Sequence, residues 1–306
     1  MTTITARQGD WWRKWGEETL VAYLFLLPSL VVFAAFVFFP LVFSIYTSFT
    51  RWNLPYQPSF IGLENFRYIF TDTIGAPAFL GSIRNSFYYA VGVPLNIMIS
   101  LCIALLLNQR LRGVSIFRTA YFLPTITSTA AISVVWLWIY HPADYGLFNS
   151  ILLKLDLSPL RWLRDPHLAM PSLILMGIWH GMGYNIIIFL AGLQSIPTSL
   201  YEAAEIDGAG GWARFWKVTL PLLSPTTFYI LVIGIINSLK TFTQMHVMTE
   251  GGPLGATTTI TYYLYQQAFE SFTMGRASAV ACVLLAMLFI FTLIQFKVVG
   301  SRIHYE

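Results

Sequence analysis

The chain has 306 residues, enough on length alone for two small soluble domains. Apolar residues make up 56% of it and charged residues only 10%, against about 25% charged in ordinary soluble domains, so most of the surface must face lipid rather than water. The net charge of +4 is small and scattered, with no basic run interleaved with aromatics, which excludes nucleic acid as a partner.

Six stretches are apolar for about the length a bilayer core requires: residues 20–46, 86–107, 119–139, 171–193, 226–243 and 277–298. The first follows Arg7, Arg13 and Lys14, as a signal peptide would. It is too long for the apolar region of such a peptide and no small-residue cleavage site follows, so it reads as a retained span. Pro28 and Pro40 interrupt the first span and Pro94 the second; neighbouring helices can satisfy the carbonyls these prolines free. All fourteen Asp and Glu residues lie outside the six cores, as expected when a carboxylate at a helix centre is costly. Cys102 and Cys282 sit inside apolar runs and read as small packing residues, so no disulfide, metal or cofactor site is expected.

The expected fold is therefore an all-α polytopic membrane protein with six transmembrane helices and short cytoplasmic helices between them. With the N-terminus inside, ten of the eighteen Lys and Arg residues fall on inner segments, which are the shorter ones, so both termini are expected in the cytoplasm. The outer segments, about 47–85, 141–170 and 244–276, are long and rich in aromatic and turn residues, and short interfacial helices are expected there.

The inner loop at 199–225 carries the most information. Ser199 and Glu202 have capping-box spacing, which predicts a helix starting at Ser199. Gly208 should end it in a left-handed cap, and a second short helix over about 212–218 should follow. Pro221 and Pro225 suit the entry to the fifth span. Ala203, Ala204, Gly208 and Ala209 leave a face poor in side chains, able to dock closely on another protein, with Glu202, Glu205, Asp207, Arg214 and Lys217 available to fix the register.

This loop resembles the EAA motif of ABC importer permeases, E-A-A-x-x-D-G-A followed after ten positions by L-P-x-L-x-P. Glu202, Ala203, Ala204, Asp207, Gly208, Ala209, Leu220, Pro221, Leu223 and Pro225 occupy every fixed position. The likeness runs from about Asn85 to the C-terminus and is closest to the sugar-permease branch, that of maltose-type and glycerol-phosphate-type importers. Met248-Thr249-Glu250-Gly251-Gly252-Pro253 resembles that branch's turn after the fifth span, and Ile303-His304-Tyr305-Glu306 resembles the ending of its first permease subunit. The resemblance implies a permease domain over 85–298. It is preceded by an N-terminal segment, first span and extracytoplasmic segment over 1–84 and followed by a cytoplasmic tail over 299–306. It also implies a second permease subunit, a dimeric ATPase seated on the loop, a solute-binding protein delivering substrate, and a bacterial or archaeal cytoplasmic membrane. The chain has no G-x-x-x-x-G-K-[ST] phosphate loop, so it is not expected to be the ATPase or an enzyme.

Polar residues inside spans are the candidate substrate contacts. The fourth span offers His180, Tyr184 and Asn185 beside Gly181, and His180 and Tyr184 share a helical face. The fifth offers Asn237, Ser238, Thr241 and Gln244, which at helical spacing would form one stripe, with Lys240 near its outer end. The third offers Thr125, Thr127, Ser128 and Thr129. Each can instead join helices to one another. Alignment with maltose-type permeases implies His180, Gly181, Tyr184, Asn237, Ser238 and Thr241 at or near the sugar contacts. Amides, hydroxyls and an aromatic ring suit a sugar or oligosaccharide. A phosphate ester would call for arginines, and none lies in a span core, so glycerol phosphate fits less well. An ion-coupled secondary transporter would keep a carboxylate in the membrane and show a paired repeat of broken helices; neither is present in the sequence.

Overall fold

A computed structural model describes residues 8–109 and 114–298. The expectations that rest on Arg7, Arg110, Arg112, Arg302 and the ending Ile303-His304-Tyr305-Glu306 lie outside these residues.

The first span is α1 (Gln8–Phe33), a π-helical turn (Ala34–Phe38) and α2 (Phe39–Ser48) in one run. The wide turn falls just before Pro40, whose missing N–H the helix must accommodate. From Leu20 to Val42 its side chains are exposed; α2 then packs on the last helix, where Thr47 Oγ1 meets Ser278 Oγ at 2.8 Å. The outer segment that follows departs from purely helical structure. A two-residue antiparallel ladder joins β1 (Thr50–Arg51) to β2 (Ser59–Phe60) before the interfacial helix α3 (Glu64–Thr71). Buried Asn65 donates to the carbonyls of Ser48 and Thr50 and ties α3 to the end of the first span.

The second span is longer than its apolar core. It begins at α4 (Gly75–Ala90), breaks at Val91 and continues as α5 (Gly92–Leu107). Asp72 accepts from the backbone N–H groups of Ile74 and Gly75, which starts α4 and holds the Asp72 carboxyl below its usual range.

The third apolar stretch is not one straight helix. α6 (Val114–Ile126) and α7 (Thr129–Ile139) meet at 111°. Pro124 cannot donate to the ladder of α6, and Ser128 takes an extended ψ of 132°. Thr127 Oγ1 bonds back to the Leu123 carbonyl at 2.9 Å and satisfies part of the open end. The interfacial helix α8 (Leu147–Lys154) follows, and its buried Asn149 holds the loop through Leu160 and Trp162.

The fourth span, α9 (Ala169–Ser195), is the central helix: α5, α6 and the helix over Ser224–Leu239 all pack on it. After the inner loop, described below, α13 (Ser224–Leu239) forms the fifth span, capped at its inner end by Pro225 in the first turn. It stops earlier than its apolar pattern suggests. The side chains of Thr261 and Thr259 donate to the carbonyls of Leu239 and Thr241, replacing the helical bonds. A π-helical turn (Met245–Thr249), α14 (Ile260–Tyr265) with its π-helical extension (Gln266–Glu270), and the sixth span α15 (Met274–Val298) complete the described residues. Among the described residues, four helices are long and apolar enough to cross a membrane, and two bent pairs raise the number of spans to as many as six.

Candidate functional site: a cavity without charge and a helical hairpin beneath it

A cavity of about 430 Å³ opens between α5, α9 and α13, a size suited to a small-molecule ligand. His180, Gly181, Tyr184, Asn237, Ser238 and Thr241 all line it, together with Asn185, Gln244 and Thr129. The fifth-span residues arrive there differently from expectation. Asn237 and Ser238 lie in the last turn of α13, whereas Thr241 and Gln244 lie beyond the helix end and reach the cavity because the chain folds on past Lys240.

The polar groups differ in how free they are. Asn237 and Tyr184 are exposed to the cavity, while Ser238 is buried and its hydroxyl donates to the Ile235 carbonyl at 2.9 Å. Of the third-span candidates only Thr129 reaches the lining. Thr125 Oγ1 instead donates to the His180 carbonyl at 3.1 Å, and the His180 ring nitrogen Nε2 lies 3.3 Å from the Thr127 carbonyl, so the broken span is fastened to the fourth at the cavity wall.

Three polar lining residues escape the sequence reading. Tyr89 Oη accepts from Gln244 Nε2 and joins the second span to the outer end of the fifth. Tyr229 Oη lies 3.4 Å from Tyr184 Oη and joins the fourth span to the fifth. Asn96 donates to the Ile178 carbonyl at 3.0 Å and accepts from Asn185 Nδ2 at 2.9 Å. For Asn96 a signal existed: Asn96 and Ser100, one turn apart, are polar residues of one face in an otherwise apolar run. Among the described residues no Asp, Glu, Lys or Arg lines the cavity, and Lys240 is not among its walls.

The loop joining the inner ends of α9 and α13 is a helical hairpin. Its first helix, α10 (Thr198–Ile206), starts one residue earlier than the capping-box reading. Pro197, with ψ of 132°, occupies the cap position and makes no side-chain cap bond, so Ser199 lies inside the first turn. The C-terminus follows expectation. Gly208 has φ +78°; its N–H bonds to the Glu205 carbonyl and that of Ala209 to the Ala204 carbonyl, the two bonds of a Schellman cap.

The second helix is longer than the expected 212–218. It runs through α11 (Gly211–Arg214), a π-helical turn (Phe215–Thr219) and α12 (Leu220–Leu222), then meets α13 at 61°. Tyr201 Oη and Thr219 Oγ1 lie 3.1 Å apart and clamp the two arms, and Arg214 pairs with Glu205 at 3.3 Å. That ion pair is internal, so Glu205 and Arg214 are engaged with each other. Glu202, Ala203, Asp207, Gly208 and Pro221 are exposed; Ala204, Ala209 and Leu220 are half-buried. Ile206 at the tip is 87% exposed and Trp212 75% exposed. Leu223, at the bend into α13, is fully buried against the core that includes Leu193 and Ile196. The hairpin is thus fixed firmly to the two helices that wall the cavity, while its tip is open.

The family described as binding-protein-dependent transport system inner membrane component matches residues 1–303, so the likeness extends well before Asn85. The chain is 38% identical over 295 residues to a probable ABC transporter permease protein, YesP, of Bacillus subtilis, covering 95% of this chain and 94% of that one. It is 35% identical to the arabinooligosaccharides transport system permease protein AraP of the same organism (97% and 94% covered). It is 34% identical to the sn-glycerol-3-phosphate transport system permease protein UgpA of Brucella abortus (94% and 97% covered). In fold it is similar to a chain of a bacterial ABC transporter involved in the import of the acidic polysaccharide alginate, with a TM-score of 0.81 at 22% identity, covering 95% of this chain and 99% of that chain.

Proposed function

The chain belongs to the family of binding-protein-dependent transport system inner membrane components, and on that premise we propose that it is the first permease subunit of an ABC importer for a neutral sugar or oligosaccharide. The observation that carries the substrate class is the cavity: its polar walls are amides, hydroxyls, tyrosines and one histidine, with no charged side chain. Such walls offer hydrogen bonds and ring faces to a polyhydroxyl ligand and nothing to balance a phosphate in a site of low dielectric. The name of the arabinooligosaccharide permease supports this reading. The glycerol-phosphate permeases are the second reading, and the absence of Arg and Lys from the walls weighs against it.

His180, Gly181, Tyr184, Asn237, Ser238 and Thr241 are the proposed substrate contacts. The hairpin is the proposed seat of a separate dimeric ATPase, with Glu202, Ala203, Ala204, Asp207, Gly208, Ala209, Leu220 and Pro221 as its coupling residues. Exposed Ile206 and the low profile around Gly208 fit insertion of the tip into a cleft. Because the hairpin joins α9 to α13, a pull on it moves two walls of the cavity against each other. A second permease would complete the pore, a solute-binding protein would deliver the sugar from outside, and both termini would face the cytoplasm. Alanine at both Tyr184 and Asn237 should reduce uptake severely while leaving the subunit in the membrane; unchanged uptake in that double variant would remove the site assignment.

A further inference from the structure

The hydrogen bonds behind the cavity wall have a direction. The Ile178 carbonyl can only accept, so the Asn96 atom 3.0 Å from it is the amide nitrogen. The Oδ1 of Asn96 then points the other way and accepts from Ser100 Oγ and from Asn185 Nδ2, each at 2.9 Å. Asn185 uses one N–H on Asn96, which leaves its Oδ1 and its second N–H without a partner from Asn96 at the cavity that Asn185 lines. Asn96 is 8% exposed and approaches α9 at Gly181, where a Cβ would stand 3.3 Å from its Nδ2. The same logic holds at His180. The Thr127 carbonyl, released by the break in the third span, can only accept, so Nε2 is the donor there and Nδ1 is the ring nitrogen left over.

We propose that two backbone carbonyls, acting through Asn96 and directly on His180, set the hydrogen-bond polarity of the cavity, so that Asn185 and His180 present acceptors and select a ligand that donates O–H groups. This rests on the sugar reading above and sharpens it. A neutral polyol donates to both positions, which phosphate and carboxylate oxygens cannot do. Asn185 touches the ligand, and Asn96 is a positioning residue that acts through it. A site built to match a hydroxyl discriminates strongly, because a ligand lacking the donor leaves buried acceptors unpaired.

The test measures Kd by equilibrium dialysis on the purified permease–ATPase assembly, without the solute-binding protein. The neutral probes are arabinotriose, maltotriose and a galactotriose, and the anion is sn-glycerol 3-phosphate. N96L should raise Kd for the neutral probe that binds about tenfold, the effect of one lost hydrogen bond, and narrow the preference over the anion. N96D should bind as the wild type, since a buried, protonated Asp repeats the donor and acceptors of Asn. N96L/N185L should bind no more weakly than N185L, as expected if Asn96 acts through Asn185. Wild-type Kd in N96L, weakening in N96L and N96D alike alongside a lower melting temperature, or additive losses in the double variant would each overturn the polarity account alone. Failure of the wild type to bind any neutral probe would overturn the sugar reading, and this inference with it.

Discussion

At the scale of single residues, the absence of a side chain decides as much as its presence. A Cβ at Gly183 would overlap the Tyr121 carbonyl and Thr125 Oγ1, so the close approach of α6 to α9 depends on that glycine. Gly183→Ala should push α6 outward, costing about 1–3 kcal/mol as overpacking does, read as a lower melting temperature of the purified subunit; an unchanged melting temperature would show that α6 yields freely. Gly208 is a different case. A Cβ there meets nothing within 4 Å, but φ of +78° is unfavourable for any other residue and most of all for a β-branched one. Gly208→Val should leave the subunit assembled and remove substrate-stimulated ATP hydrolysis. Normal transport in that variant would refute the role given to the hairpin tip.

At the scale of elements, hydropathy located the spans well and their breaks poorly. The cores at 171–193 and 277–298 correspond to α9 and α15 with a few residues added. The 111° break at Thr127–Ser128 was not legible, because proline alone does not break a membrane helix. Here the freed end of α6 is held by contacts from another helix, at His180. The early end of α13 escaped for the same reason: the carbonyl of Leu239 and that of Thr241 just past the helix are satisfied by Thr261 and Thr259, distant in sequence. Cavity residues on the fourth and fifth spans were found because they flank a recognisable loop. Tyr89 and Tyr229 were missed because nothing local separates a wall residue from one that joins helices; for Asn96 the pairing with Ser100 one turn on was the signal. The bend at Leu223 lies where the hairpin turns into α13. Leu223→Ala should cost about 2–5 kcal/mol, the range for a fully buried leucine, and should weaken coupling between ATP hydrolysis and uptake. Full coupling in a destabilised variant would place the mechanical link elsewhere.

At the scale of the whole molecule, the account joins two features that the sequence keeps apart. One is an uncharged polar cavity between α5, α9 and α13; the other is an exposed hairpin that connects two of those walls directly. In the function proposed, the first sets which cargo is accepted, and the second gives an external motor a lever on the same helices. The central claim is that this lever drives neutral sugar, and not an anion, across the membrane. The most direct measurement is uptake into proteoliposomes that hold the complete importer, supplied with its solute-binding protein and with ATP in the compartment facing the hairpin. Radiolabelled arabinotriose, maltotriose and galactotriose are compared with sn-glycerol 3-phosphate. The account predicts ATP-dependent accumulation of a neutral oligosaccharide and none of the phosphate ester; accumulation of the ester alone, or sugar uptake independent of ATP, would contradict it.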